Sequence, residues 1–259
     1  MRIERLPIFF SRRLKMPGHV KTKDDRQYWH VKNGGSVLLV AHIDTVCKPE
    51  WRGIKGGTIY AAGLDDRLGV WLAFELLHAR SDVDVLITDE EERGTSTAEL
   101  VLAEDLAGYN CIIGLDRAGV DFVDYGLSCN DLIDVFRDYG PFGQGSFSDI
   151  CSLFDPPCSC INVGVGYELA HSPQSYAKLC SVQFAFNRMM DFLDNWSDTF
   201  FPPPDITYCG VDDFYGSIEM HKVCVYCGVD LWEDMDTEEN IAEGICADCW
   251  ENMGLSVTA

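Results

Sequence analysis

Imidazole and carboxylate side chains recur along the first 171 residues of the chain, each next to a segment whose pattern predicts the end of a strand. In chain order they are His42 and Asp44, Asp65 and Asp66, Glu91 and Glu92, Asp116, and His171. Two imidazoles and several carboxylates from separate strand ends are suitable ligands for a pair of divalent cations. The pattern therefore predicts a two-metal centre, with hydrolysis as its leading chemistry.

The spacing within two of these pairs supports metal binding. His42 and Asp44 alternate at a predicted strand end, so their side chains project to the same side. One can then ligate a metal while the other hydrogen-bonds the imidazole and fixes its tautomer. Adjacent Asp65 and Asp66 would repel each other without a cation, and a carboxylate that bridges two metals removes this cost.

Each element taken alone also has a structural interpretation. Asp65 could cap the N-terminus of a helix, residues 90–92 could be a solvated charge run, and His171 could be a satisfied loop histidine. Five elements in this order favour the metal site over these separate interpretations.

An alternating series of predicted strands and helices must position these side chains. The hydrophobic pattern predicts strands at residues 36–44, 83–88, 111–116 and 160–167, a strand or approach loop at 59–64, an edge strand at 121–126, and helices at 68–77, 97–106, 129–137 and 174–196. Alternation of this kind predicts an α/β fold, a three-layer sandwich with a mostly parallel mixed sheet flanked by helices. Polar residues then gather at the carboxyl ends of the strands.

Composition limits the possible partners and location. The 259-residue chain is 47% hydrophobic and has a net charge of −22, which disfavours nucleic acid or an anionic membrane as a partner. No apolar run is long enough to span a membrane, and the N-terminal apolar patch is too short for a signal peptide. We therefore expect a cytoplasmic protein whose cysteines are thiols or metal ligands.

The charge is unevenly distributed along the chain. Residues 1–33 contain nine of the 20 Lys and Arg, whereas residues 191–259 contain 16 acids and one base. Two interpretations remain open: the basic N-terminus docks on the acidic tail, within or between chains, or the two are solvated surfaces of opposite sign.

Four cysteines near the C-terminus form a second candidate metal site. Cys224 and Cys227 are separated by two residues, as are Cys246 and Cys249, and 18 residues lie between the pairs. This spacing predicts a four-thiolate structural zinc site of the zinc-ribbon type, with buried free thiols or a redox pair as the alternative.

A proline-rich break at residues 200–205 predicts the start of a linker. We therefore divide the chain into a catalytic domain at 1–199, a linker at 200–220 and a small zinc-binding module at 221–259. Because the module is acidic, we expect protein contact or self-association through it rather than nucleic-acid binding.

Five segments together resemble a known family. Residues 41–46, 63–69, 89–94, 114–116 and 167–172 resemble motifs of the zinc-dependent exopeptidase clan, which includes co-catalytic aminopeptidases, deblocking aminopeptidases and related carboxypeptidases and deacylases. The resemblance covers roughly residues 30–196.

The resemblance implies a ligand set for two metals. His42 and Asp116 are similar to the ligands of one metal, Glu92 and His171 are similar to those of the other, and Asp65 is similar to the carboxylate that bridges them.

The resemblance also implies roles for two acids that do not ligate metal. Glu91 resembles the general base that takes a proton from metal-bound water, and Asp44 resembles the acid that orients His42. The mechanism implied is attack by a metal-bridging hydroxide and return of the proton to the leaving amine. A pairing of Glu90 with Glu91 is the alternative register at the three glutamates. Residues 145–149 resemble a Ser/Thr-Asp segment near the site in some relatives, with a helix N-cap as the alternative.

The layout is that of a minimal catalytic domain. The 54 residues between Asp116 and His171 leave no room for the lid domain of carboxypeptidase-like relatives. The 20 residues between Asp44 and Asp65 exclude the domain that deblocking relatives insert there. The chain is thus most similar to single-domain aminopeptidases, and the resemblance implies a cis peptide between Asp65 and Asp66.

These observations predict a metal-dependent hydrolase that cleaves an amide bond, with an aminopeptidase acting on short peptides as the leading hypothesis. A deacylase or amidohydrolase of a small N-acylated compound is the first alternative. A non-catalytic binding or adaptor protein that recruits through the zinc ribbon is the second. The expected cofactors are two divalent metal ions, with zinc preferred, and one structural zinc; no organic cofactor is expected.

Overall fold

The structure is a computed structural model that describes residues 1–11, 14–22 and 24–204. The predicted four-cysteine module lies outside these described residues. The strands are β1 (His19–Lys21), β2 (Gln27–Val31), β3 (Val37–His42), β4 (Glu50–Lys55), β5 (Thr58–Ala62), β6 (Val83–Thr88), β7 (Cys111–Gly114), β8 (Phe122–Val123), β9 (Cys160–Val163), β10 (Tyr167–Glu168) and β11 (Tyr176–Lys178). The α-helices are α1 (Leu6–Phe9), α2 (Leu64–Ala79), α3 (Ala103–Leu106), α4 (Asn130–Tyr139) and α5 (Leu179–Trp196). Among the helices of the described residues, none has the length and apolarity needed to cross a bilayer.

A seven-stranded mixed sheet organises the fold, in the order β1-β2-β6-β3-β7-β9-β8. The four central strands are parallel. On either side of them, β2 pairs antiparallel with β6 and β8 pairs antiparallel with β9, and β1 pairs antiparallel with β2. Both faces of the sheet are buried: Val37, Leu39 and Ala41 of β3 enter the core that contains α2 and α5, whereas Leu38 and Val40 enter a second core. This confirms the α/β class and the mixed, mostly parallel sheet.

The second core is covered by short elements rather than long helices. The helix predicted at 97–106 is wrong, because this segment forms a 3-10 helix at Thr97–Leu100 and the four-residue α3. Val101 and Leu102 between them have extended backbone, which buries Val101 in the second core.

A second, antiparallel sheet in the order β10-β11-β5-β4 was not predicted. The helix predicted from residue 174 begins only at Leu179, because Tyr176–Lys178 forms β11 and pairs with β5. Tertiary pairing of this kind overrides local helical spacing. Since β10 and β11 flank the loop that carries His171, this sheet positions one of the candidate ligands.

The basic N-terminal segment is part of the fold. Leu6 is fully buried, and Arg2 forms an ion pair with the buried Glu75 of α2 at 3.1 Å. The β1–β2 hairpin extends the large sheet beyond β6, and Lys32 after it forms an ion pair with Asp105 at 2.6 Å. Arg2 and Lys32 of this segment are thus paired with acids among the described residues.

Candidate metal centre

The carboxyl ends of the parallel strands converge on His42, the last residue of β3. Its side chain is 1% exposed, and its Nδ1 lies 3.1 Å from the Asp44 carbonyl oxygen and 3.3 Å from Asp44 Oδ1. Its Nε2 has no hydrogen-bond partner. Three carboxylates surround this nitrogen, with Asp116 Oδ1 at 3.3 Å, Asp65 Oδ1 at 3.4 Å and Glu91 Oε2 at 3.7 Å.

These spacings fit a bound cation. Two ligand atoms on a tetrahedral zinc with bonds of about 2.0–2.2 Å lie roughly 3.3–3.6 Å apart. Nε2 of His42 meets this spacing with the oxygens of Asp65 and Asp116. Because a buried imidazole nitrogen without a partner is unfavourable, the donor set suits a metal ion.

A second imidazole lies on the other side of Asp65. Nε2 of His171 is 3.2 Å from Asp65 Oδ2 and 2.9 Å from Glu92 Oε2. The two oxygens of Asp65 therefore face different imidazoles, each of which also contacts a further carboxylate. Ligand atoms within 4.8 Å of one another occur in two groups among the described residues, His42 with Asp66 and Asp116, and His42 with Asp65 and Glu92.

Asp66 is engaged by the backbone, which leaves Asp65 for the site. Its Oδ1 accepts the amide hydrogen of Gly69 at 3.0 Å and its Oδ2 that of His42 at 3.3 Å. The helix-capping interaction considered for Asp65 thus belongs to Asp66. A Cβ at Gly69 would lie 1.9 Å from the Leu115 carbonyl oxygen, so only glycine allows this approach. The peptide between Asp65 and Asp66 is cis.

The three consecutive glutamates are separated by the backbone conformation at Glu90. This residue has a φ of 72° and forms an ion pair with Arg26 at 2.7 Å, away from the imidazoles. Asp44 accepts the amide hydrogens of Glu91 at 3.3 Å and Glu92 at 3.0 Å. Asp44 therefore holds the backbone of Glu91 and Glu92 in place, and it also contacts the imidazole of His42.

Two residues beside Asp116 were not identified from the sequence. Asn162 of β9 donates through Nδ2 to the Asp116 carbonyl oxygen at 2.8 Å and accepts the Asp116 amide hydrogen at 3.1 Å. The buried Tyr167 donates its hydroxyl to Asp116 Oδ1 at 3.3 Å. The sequence signal that could have revealed Asn162 is a polar amide side chain inside an otherwise apolar strand.

The segment at 145–149 lines the site at its N-terminal end and is buried at its C-terminal end. Gly145 and Ser146 line the cavity in front of the candidate ligands. Asp149 is buried and accepts a hydrogen bond from the Ser96 hydroxyl. Ser148 precedes a 3-10 helix but makes no side-chain capping bond, so the N-cap interpretation is wrong.

Burial and close charges shift the pKa values of the acids and imidazoles in the cluster. Burial raises the pKa of Glu91 to about 8 and that of Asp116 to about 7, with His42 opposing both shifts. Burial disfavours ionisation of Asp65 as well, but the nearby imidazoles of His171 and His42 favour its charged form more strongly and lower its pKa. Hydrogen bonds to Asp65 and Glu92 raise the pKa of His171 to about 10.

Metal binding is expected to stabilise the protein more at about pH 8 than at about pH 6. In the metal-free fold, Asp116 and Glu91 retain protons that the unfolded chain has released. That fold therefore loses stability as pH rises from ordinary carboxyl pKa values to about 7 for Asp116 and about 8 for Glu91. Metals displace these protons, and each proton adds about 1.4 kcal/mol per pH unit to the metal-induced stabilisation.

Thermal unfolding across this pH range, with excess zinc and with chelator, measures that increment. The His42→Ala variant is the control, because the metal-induced stabilisation that remains in it comes from other metal sites in the chain. A difference between the two proteins that does not change with pH would contradict the expectation.

Comparison with known proteins shows the fold. No protein-family model and no curated protein sequence matches the chain. The TET aminopeptidase from a marine sediment archaeon, Thaumarchaeota archaeon SCGC AB-539-E09, is similar in structure, with a TM-score of 0.55 at 12% identity over 76% of this chain and 97% of that one. An aminopeptidase from Desulfurococcus kamchatkensis has a TM-score of 0.52 at 11% identity, over 75% of this chain and 89% of that one. Aminopeptidase PepT from Bacillus cereus has a TM-score of 0.50 at 13% identity, over 63% of this chain and 82% of that one.

The described residues therefore have the α/β fold of solved aminopeptidases. At 11–13% identity this likeness defines the fold alone. The chemistry must be argued from the side chains at the carboxyl ends of the strands.

Proposed function

We propose that this chain is a metal-dependent hydrolase that cleaves an amide bond, acting as an aminopeptidase on short peptides. The observation that carries the proposal is the position of Asp65, whose two oxygens face His42 and His171 at 3.4 and 3.2 Å. In this proposal, His42 and Asp116 would hold one divalent ion, Glu92 and His171 would hold the other, and Asp65 would be the ligand that the two ions share. When bound, such a pair polarises the carbonyl group and makes water a better nucleophile.

Glu91 is the proposed general base. It lines the cavity, and its carboxylate faces the cluster without being needed in either ligand set. Burial raises the pKa of this carboxyl group above the ordinary range, and bound cations would favour its ionised form, which a general base needs. Glu91 takes a proton from the attacking water and returns it to the leaving amine. Asp44 positions the Glu91 backbone by accepting its amide hydrogen.

The comparisons support the peptidase assignment at the level of the fold, because the three similar structures are aminopeptidases by name. The four-cysteine module, with Cys224, Cys227, Cys246 and Cys249 as ligands of a structural zinc, is a separate proposal that rests on spacing. Cytoplasmic location and self-association through this module also remain proposals.

Metal content and substrate hydrolysis test the proposed function together. Protein purified without chelator should contain about three divalent ions per chain, from two co-catalytic ligand sets and one four-cysteine site. It should hydrolyse aminoacyl anilides or short peptides faster than N-acyl amino acids. About one ion per chain after incubation with excess zinc, together with no hydrolysis, would favour the binding-protein alternative.

A further inference from the structure

The cavity in front of the candidate metal centre has an uneven charge distribution. Its volume is about 460 Å³, in the lower half of the range of small-molecule sites. The acidic side chains that line it are Asp65, Glu91, Glu92 and Asp116. Each already has a part in the proposed centre as metal ligand or base. Among the described residues, the lining therefore offers no spare carboxylate to bind a free ammonium group.

One guanidinium group lines the same cavity. Arg117 follows Asp116 directly, and it is the one Lys or Arg among the described residues of the lining. Its Nε and Nη2 donate to Asp121 at 2.7 and 2.6 Å, and its Nη1 donates to the Gln144 carbonyl oxygen at 3.0 Å. A guanidinium has five N–H groups, so these three bonds leave two N–H groups available, and the side chain is 19% exposed.

The wall around Arg117 is built closely against it. A Cβ at Gly143 would lie 2.4 Å from Arg117 Nη2 and 2.1 Å from Asp121 Oδ2, so the backbone approaches the ion pair as only glycine allows. In the same cavity wall, Tyr125 donates its hydroxyl hydrogen to the Phe147 carbonyl oxygen at 3.1 Å. The guanidinium is thus held in one orientation before any ligand arrives, which reduces the entropic cost of binding.

We propose that Arg117 binds the carboxylate of the substrate, so that this centre acts on compounds with a free carboxylate close to the scissile amide. The proposal rests on the proposed function and narrows its substrate class. An oriented guanidinium with two free donors matches a carboxylate in both charge and geometry. Two sources share this chemistry, the C-terminus of a di- or tripeptide and the carboxylate of an N-acyl amino acid.

The test compares each substrate with its uncharged counterpart. The kcat/KM of metal-loaded protein is measured on a dipeptide and its C-terminal amide, and on an N-acetyl amino acid and its amide. Charge-assisted hydrogen bonds of this kind correspond to about 10–100-fold in binding, so the acid of the true substrate class should exceed its amide by that factor. The pair that is hydrolysed identifies the source of the carboxylate.

Arg117→Met should remove this preference, so that the acid and its amide are hydrolysed with about the same kcat/KM. The matched control is Arg137→Met, which removes an exposed arginine of α4 paired with Asp134 at 2.5 Å and should behave as the unaltered protein. Equal losses on acid and amide in Arg117→Met would show that the residue only supports the cavity wall and would overturn the proposal.

Two further outcomes separate this proposal from the proposed function. Equal hydrolysis of acid and amide by the unaltered protein would overturn carboxylate recognition and leave the hydrolase standing. If no substrate is hydrolysed, calorimetric binding of the dipeptide and its amide to the metal-loaded protein decides the matter. A preference for the acid that Arg117→Met abolishes supports the proposal, and equal binding overturns it.

Discussion

Replacement of Glu91 with glutamine is expected to lower kcat about 10²–10⁴-fold, the usual contribution of a positioned acid or base. Glutamine has the same shape but cannot accept the proton of the attacking water. The side chain faces His42 across 3.7 Å and belongs to neither proposed ligand set, so metal content should change little. Steady-state kinetics and metal analysis on the same preparation provide the measurement.

Glu90→Gln is the matched control for this substitution. Glu90 is the adjacent residue, but it forms an ion pair with Arg26 rather than facing the imidazoles. Its replacement should change kcat by no more than a few fold. If Glu90→Gln loses turnover and Glu91→Gln does not, the base is Glu90 and the alternative register is correct.

Replacement of Asp65 with alanine is expected to release both metal ions of the proposed pair. The residue offers one oxygen to the side of His42 and the other to the side of His171, so both ligand sets lose a member. Residues that hydrogen-bond to metal ligands typically contribute about 10–100-fold to metal affinity. Loss of a ligand that both ions share should therefore lower the affinity for each ion by more than about 100-fold. Metal content should fall from about three ions per chain to about one, the four-cysteine site.

His171→Ala is the control that separates a shared ligand from an ordinary one. The imidazole of His171 contacts Asp65 and Glu92, whereas the ligands around His42 remain in place. This variant should therefore retain about two ions per chain. Equal stoichiometry in the two variants would count against a bridging role for Asp65, as would an Asp65→Ala protein that retains three ions.

The sequence was sufficient for the parts of the site that depend on strand ends. His42 ends one buried apolar strand and Asp116 follows another, and parallel pairing brings the carboxyl ends of these strands together. The cis peptide between Asp65 and Asp66 was implied by resemblance and is present. For these residues the hydrophobic pattern of the sequence and the family motifs predicted the same positions.

Other parts depend on contacts between residues far apart in the chain, which local pattern does not encode. Asn162 contacts the backbone of Asp116 only because β9 pairs with β7. The strand at Tyr176–Lys178 forms because β5 lies beside it, more than a hundred residues earlier in the chain. The pairing of Glu90 with Arg26 likewise required the β1–β2 hairpin, which has no strong alternating pattern of its own.

The edges of both sheets bear on how the protein avoids aggregation by pairing of exposed strand edges. Exposed strand edges are templates for aggregation, and short strands, charges and bulges protect against it. The large sheet ends in the three-residue β1 and the two-residue β8. The small sheet ends in the two-residue β10 and in β4, which carries Glu50, Arg52 and Lys55 and a register shift between Trp51 and Gly53. The fully buried central strands that support the candidate metal centre are thus shielded at every sheet edge in the described part of the chain.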